Sequence, residues 1–150
     1  MRRLLAIAAL AACIPASASA QPARAGWADA PLSPGAWVYS APGGSRAARA
    51  LFGPPGAPIT FQMVCSDGAI ALTRGGATSG TLTIRTSSTI RTLPGTRDRD
   101  GLTARLPAND ALLDAIAFSR GRFAVETQGN AGLVIPTWSE IGRVIEDCRR

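Results

Sequence analysis

Ile59-Thr60-Phe61-Gln62-Met63-Val64-Cys65-Ser66-Asp67-Gly68-Ala69-Ile70-Ala71-Leu72 is the stretch from which the fold can be read outward. Ile59, Phe61, Met63 and Cys65 alternate with polar or smaller residues, the two-residue period of a strand that buries one face. Ser66-Asp67-Gly68 is turn chemistry, and Ile70 and Leu72 carry the alternation back. The reading is a β-hairpin with Cys65 on its apolar face.

Toward the N-terminus, Ala36 to Ser40 sets Trp37 and Tyr39 against Val38, a first strand. After the turn Ala41-Pro42-Gly43-Gly44, Arg46 to Phe52 returns with Ala48, Ala50 and Phe52 on one face. A short helix is the alternative there, because Ala, Arg and Leu are good helix formers. Gly53-Pro54-Pro55-Gly56 stops either element. Residues 21–34, with Pro22, Gly26, Pro31 and Pro34, read as an extended Pro-rich arm, and residues 35–150 as a single β-rich domain.

Toward the C-terminus, Thr81 to Thr86 puts Leu82 and Ile84 on one face, with Thr89 to Leu93 as a candidate partner. A symmetric two-residue loop would oppose Ile84 to Arg91, so the register stays open. Gly95 to Gly101 is a polar loop with four alternating charges, and Leu102 to Leu106 a further strand. Asn109 or Asp110 caps a short helix from Ala111 to Phe118, stopped by Gly121. Arg122 to Thr127 and Leu133 to Ile135 form another hairpin. Thr137-Trp138-Ser139-Glu140 is a capping-box sequence opening a C-terminal helix, on which Trp138, Ile141, Ile145 and Cys148 share a stripe. The fold class expected is mainly β (α+β), an antiparallel sandwich or partly closed barrel with a short helix and a C-terminal helix packed on the sheet. Trp37, Tyr39, Phe61, Phe118, Phe123 and Trp138 are expected in the core, whereas Trp27 in the arm tucks onto the domain or marks a partner contact.

Arg2 and Arg3, the apolar run Leu4 to Ile14, Pro15 and Ala18-Ser19-Ala20 together have the pattern of a signal peptide over residues 1–20, cleaved after Ala20. The run is too short for a transmembrane helix. Leu10-Ala11-Ala12-Cys13 offers a rival cut, leaving a lipoprotein anchored at Cys13. Cleavage after Ala20 leaves Cys65 and Cys148, and an even count in an oxidising compartment predicts a disulfide. It would pin the C-terminal helix across a sheet face, and closing a loop of about 80 residues stabilises by roughly 4 kcal/mol in chain-entropy models. The expected location is periplasmic, with no transmembrane segment in the exported chain.

The 150 residues contain 16 basic side chains, all Arg, 10 acids and no His, for a formal charge of +6. There is no imidazole base or ligand and no nucleophilic or phosphate-binding lysine. No G-x-S-x-G is present, and Gly75 to Gly80 resembles a phosphate loop in spacing but has Thr81 and Leu82 where Lys and Ser/Thr are required. Asp67 and Asp110 have turn and cap readings, Glu140 belongs to the capping box, Asp98 and Asp100 alternate with Arg97 and Arg99, and Glu126 on a strand is the one acid whose hydrophobic setting suits a general acid. No spacing suggests a metal site, and no cofactor is expected. The arginines carry the remaining chemistry. Arg74, Arg85, Arg91 and Arg105 lie on or beside strands where a shared outer face would bind phosphate, a lipid headgroup or an acidic polysaccharide, and Arg120 and Arg122 flank Gly121 as a second candidate anion site. The alternative is a solvated face in an Ala-, Gly-, Pro- and Arg-rich chain.

Asp110-Ala111-Leu112-Leu113-Asp114-Ala115-Ile116-Ala117-Phe118-Ser119-Arg120-Gly121-Arg122, the segment from Pro136 to Arg149, and Trp37-Val38-Tyr39-Ser40 resemble a group of small uncharacterised exported proteins of sphingomonad-type alphaproteobacteria. In layout alone, a β-rich body with one cysteine on a strand and another near the C-terminus is similar to invasion-associated locus B-type periplasmic proteins. The resemblance implies export and a disulfide and transfers no catalytic residue. The expectation is a non-catalytic binding or envelope-accessory protein whose partner is a protein or an anionic envelope component, not nucleic acid. The alternatives are a secreted hydrolase inhibitor, acting through a loop such as Gly95 to Gly101, and a carboxylate-dependent cell-wall hydrolase.

Overall fold

The computed structural model describes residues 26–150. The signal-peptide reading over 1–20, with the lipid-anchor alternative at Cys13, and the first residues of the arm lie outside the described residues. Two antiparallel sheets face each other, and they do not close into a barrel. The first contains β1 (Ala36–Ser40), β2 (Arg49–Gly53), β3 (Phe61–Ser66), β4 (Ala69–Arg74), β8 (Leu102–Pro107) and the two-residue β7 (Thr96–Arg97), in that spatial order. The second runs β10 (Leu133–Pro136), β9 (Arg122–Glu126), β5 (Thr81–Arg85), β6 (Ile90–Pro94). Two helices, α1 (Ala111–Ala117) and α2 (Ser139–Arg149), complete the fold. Among the described residues no helix is long and apolar enough to cross a membrane.

The hairpin that begins the sequence reading is the centre of the first sheet. Cys65 pairs with Ile70 and Met63 with Leu72, and Asp67 takes φ 52° at the turn beside Gly68. Across the sheet Trp37, Phe52, Phe61 and Arg74 stand in one row on the inner face. Trp37 tilts against Phe52 with ring centroids 5.4 Å apart, and Phe61 meets Phe123 of the second sheet edge-on at 5.8 Å. These rings join the two layers. The second sheet contributes Leu82, Ile84, Val125 and Ile135, all fully buried.

Helix α2 lies on the inner face of the first sheet with Ile141, Val144, Ile145 and Cys148 buried. Cys148 is bonded to Cys65, with 5.4 Å between their Cα atoms. Near its end Tyr39 donates a hydrogen bond to Asp147, Arg150 pairs with Asp147 at 2.8 Å, and the Arg143 guanidinium sits 5.6 Å above the Tyr39 ring. The arm is docked. Val134 accepts from the Ser33 N–H at 2.8 Å and donates its own N–H to Ser33 Oγ at 3.0 Å, covering the free edge of β10. Trp27 is half-buried within a turn there.

Several local expectations resolve differently or more sharply. The return after the turn is a strand, β2 (Arg49–Gly53), rather than a helix, since Ala48, Ala50 and Phe52 bury as an alternating set. The β5–β6 hairpin takes the register that opposes Ile84 to Arg91. That pairing is tolerated because β6 is an edge strand and Arg91 reaches past the core to Asp110, 2.6 Å away. Part of the Gly95–Gly101 loop pairs with β8 as β7.

The capping box does not form. The Thr137 N–H donates to Gly121 O at 3.1 Å, which extends the β9–β10 hairpin, so the cap position falls to Trp138, whose side chain makes no cap bond. Thr137 Oγ1 and Glu140 Oε2 are left buried and without a partner among the described residues. Trp138 itself, extended at φ −103° and ψ 169°, is 48% exposed rather than on the buried stripe. Phe118 is likewise outside the core, at 82% exposure. It lies two residues beyond buried Ile116, roughly 200° around a helix and away from the apolar face.

Candidate functional site

The predicted anion-binding arginines do not gather. Arg74 points inward from β4, is 8% exposed, and donates to the carbonyls of Thr60 (3.2 Å), Gly75 and Ala131 (3.2 Å). It meets no carboxylate, and burial holds its guanidinium pKa below the usual arginine range. Arg85, on the outer face of the second sheet, pairs with Glu126 at 2.8 Å. Arg91 projects from the inner side of that sheet's edge to Asp110. Arg122 donates to Ala30 O at 2.6 Å, holding the arm. Arg120 is exposed, its N–H bonded to Ser87 Oγ at 3.2 Å. Of the six, Arg105 alone stands on the outer face of the first sheet, where Nη2 reaches Ser66 O at 3.4 Å. Most of this set is engaged by the fold itself.

A different group of arginines converges on that outer face. Strand alternation places Leu51, Gln62 and Thr73 in one cross-strand row and Arg49, Val64, Ala71 and Arg105 in the next. The turn joining β7 to β8 folds over the first row and brings Arg99 and Asp100 opposite Arg46 and Arg49. Between them lies a cleft with a larger lobe of about 410 Å³ ending at Pro58, Ile59 and Gly75, and a smaller lobe of about 260 Å³ against Val64.

The turn is held by Asp98. Its Oδ1 accepts the N–H groups of Asp100 (2.8 Å) and Gly101 (3.1 Å), and its Oδ2 accepts the Thr103 hydroxyl at 2.7 Å. Because Thr103 spends its proton on the carboxylate, the 2.7 Å contact with Thr73 has Thr73 as donor. The Thr103 hydroxyl holds the Asp98 carboxyl below its ordinary value of 3.8; burial opposes it, and the two backbone N–H groups and Arg99 add to the lowering. Gly101 takes φ 147°, and a Cβ there would lie 2.2 Å from Arg74 O, so the position excludes any side chain.

Charge in the cleft is unbalanced. Arg46, Arg49 and Arg99 face one carboxylate, Asp100, which touches Arg99 at 3.5 Å with both side chains in solvent. Among the described residues Arg46 and Arg49 have no carboxylate partner within 4.0 Å, and residues 1–25 contain no acid that could supply one. The arrangement suits charge-assisted, forked hydrogen bonds to an anion. No second carboxylate lines the cleft to form a general acid–base pair with Asp100. No group of three or more potential metal ligands occurs among the described residues.

Sequence periodicity missed this site because Arg46 and Arg99 sit in turns, whose placement depends on contacts distant in the chain. The legible signal was the alternating Arg97-Asp98-Arg99-Asp100 run, in which one acid builds the turn and one arginine is presented by it. Comparison of the chain with family models, curated proteins and solved structures finds no match.

Proposed function

We propose that this is an exported, non-catalytic binding protein that holds an anionic ligand in the cleft on the outer face of its first sheet. The observation that carries the reading is the convergence of Arg46, Arg49 and Arg99 on one cleft with Asp100 as the sole opposing charge among the described residues. A periplasmic location is supported by the N-terminal sequence pattern and by the Cys65–Cys148 bond, which suits an oxidising compartment. The envelope would supply the ligand, which is either an anionic component of the cell surface or an acidic protein.

Heparin, a generic polyanion, tests the assignment. The triple variant Arg46→Gln, Arg49→Gln, Arg99→Gln is expected to elute from immobilised heparin at clearly lower salt than the wild type, whereas Arg120→Gln, exposed elsewhere, elutes close to it. Equal elution of the triple variant and the wild type would sink the proposal.

A secreted hydrolase inhibitor is the second reading, favoured by the same turn. Asp98 makes it rigid while the Arg99 side chain is 91% exposed at its tip, the combination a substrate-mimicking loop requires. Under that reading Arg99→Ala abolishes inhibition of a target hydrolase and Arg49→Gln leaves it intact.

A further inference from the structure

Resting on the anion-binding reading, we infer that the occupant of the cleft is an extended acidic segment of a partner protein, with acidic and aliphatic side chains alternating on the face it presents. The geometry of the second row is the basis. Arg49, Val64, Ala71 and Arg105 follow one another across β2, β3, β4 and β8, so the two cations stand three strand spacings apart, about 14 Å at about 4.8 Å each. A single phosphate or carboxylate is far smaller than that gap. An extended chain rising about 3.4 Å per residue covers it in about four residues. Residues i and i+4 then carry acids over Arg49 and Arg105, and residue i+2, on the same side of the segment, rests on the half-buried Val64 between them.

The remaining lining fits a polypeptide. Leu51, Pro58 and Ile59 offer aliphatic surface beside the charges, and the Gln62 amide provides a donor and an acceptor suited to a peptide bond. Among the described residues no aromatic side chain lines either lobe to stack against the apolar faces of sugar rings, so a polysaccharide is less well served. The chain's own residues 1–25 contain no acid and are not the occupant.

Fluorescence anisotropy with the full exported chain tests this, using a fluorescein-labelled peptide that repeats Glu-Ser-Val-Ser. A peptide of identical composition with its glutamates contiguous, polygalacturonate and inorganic phosphate serve as comparators. The repeating peptide is expected to bind at least tenfold more tightly than the contiguous one and to weaken at least tenfold with Arg49→Gln and with Arg105→Gln, a residue outside the cleft proper. If polygalacturonate or phosphate binds with the Arg49 dependence and the repeating peptide does not, the peptide assignment is overturned and anion binding stands. Equal affinity for the two peptides, or indifference to Arg105→Gln, also overturns it. If no probe binds, both readings fall.

Discussion

Arg74 and Asp98 show two different structural uses of a charged side chain in this chain. Arg74 has no carboxylate and instead ties the carbonyls of Thr60, Gly75 and Ala131 together, linking the first sheet to the β9–β10 loop. Replacing it with Met takes the guanidinium from all three carbonyls, of which Thr60 O keeps the Gly75 N–H at 3.0 Å, and a loss of about 2 kcal/mol in urea unfolding is expected. Asp98 uses its charge to build a turn. Its carboxyl, like that of Asp110, is held below the ordinary carboxylate value. For Asp110 burial acts upward, but the Leu112 N–H and the Arg91 guanidinium outweigh it. A carboxyl with a lowered folded-state pKa contributes stability that is present above its unfolded value and lost as pH falls through its folded one. The melting temperature should therefore drop as pH is lowered below about 4, and less steeply in Asp98→Asn. Tyr39 works at the other limit. Its hydrogen bond to Asp147 is the main cause of a raised phenol pKa, so its contribution is complete below pH 10 and lost as pH rises beyond it. Tyr39→Phe should flatten the alkaline side of the profile.

At the level of elements, α1 and α2 begin in different ways despite similar sequence signals. Asp110 caps α1 through its side chain, bonded to the Leu112 N–H at 2.8 Å, and also receives Arg91 from the neighbouring sheet. Asp110→Ala should cost about 1 kcal/mol from the lost cap, with a further contribution from the ion pair. Helix α2 has no side-chain cap, because strand pairing at Thr137 takes precedence over the box. Thr137→Val should consequently be close to neutral in thermal unfolding, whereas loss of a working capping box would cost about 1 kcal/mol. The strands were readable from alternation alone wherever one face is buried, as in Phe61, Met63 and Cys65. Their ends were not, because hydrogen bonds such as Thr137 to Gly121 join segments with no common sequence signal. Phe118 lies outside the core for a simpler reason, since its helical angle directs it to solvent whatever its apolar character.

For the whole molecule the Cys65–Cys148 bond is the largest single constraint. It closes an 83-residue separation between the central hairpin and the last helix. Double replacement with alanine should lower stability by up to about 4.5 kcal/mol on the chain-entropy account, read as a shift in the urea midpoint. The helix should still dock through Ile141, Val144 and Ile145, so a folded but weakened protein is the expected product. Alternating hydrophobicity, turn residues and two cysteines on apolar faces, Cys65 and Cys148, were enough to specify a β-rich fold, its two helices and its disulfide, since each follows from local periodicity or pairwise chemistry. Which arginines remain available was beyond their reach. Arg74, Arg85, Arg91 and Arg122 are consumed by partners up to 92 residues distant, while Arg46, Arg49 and Arg99 meet across a face assembled from separate hairpins. Charge is a property of the residue, but its availability depends on what the folded chain brings within hydrogen-bonding distance.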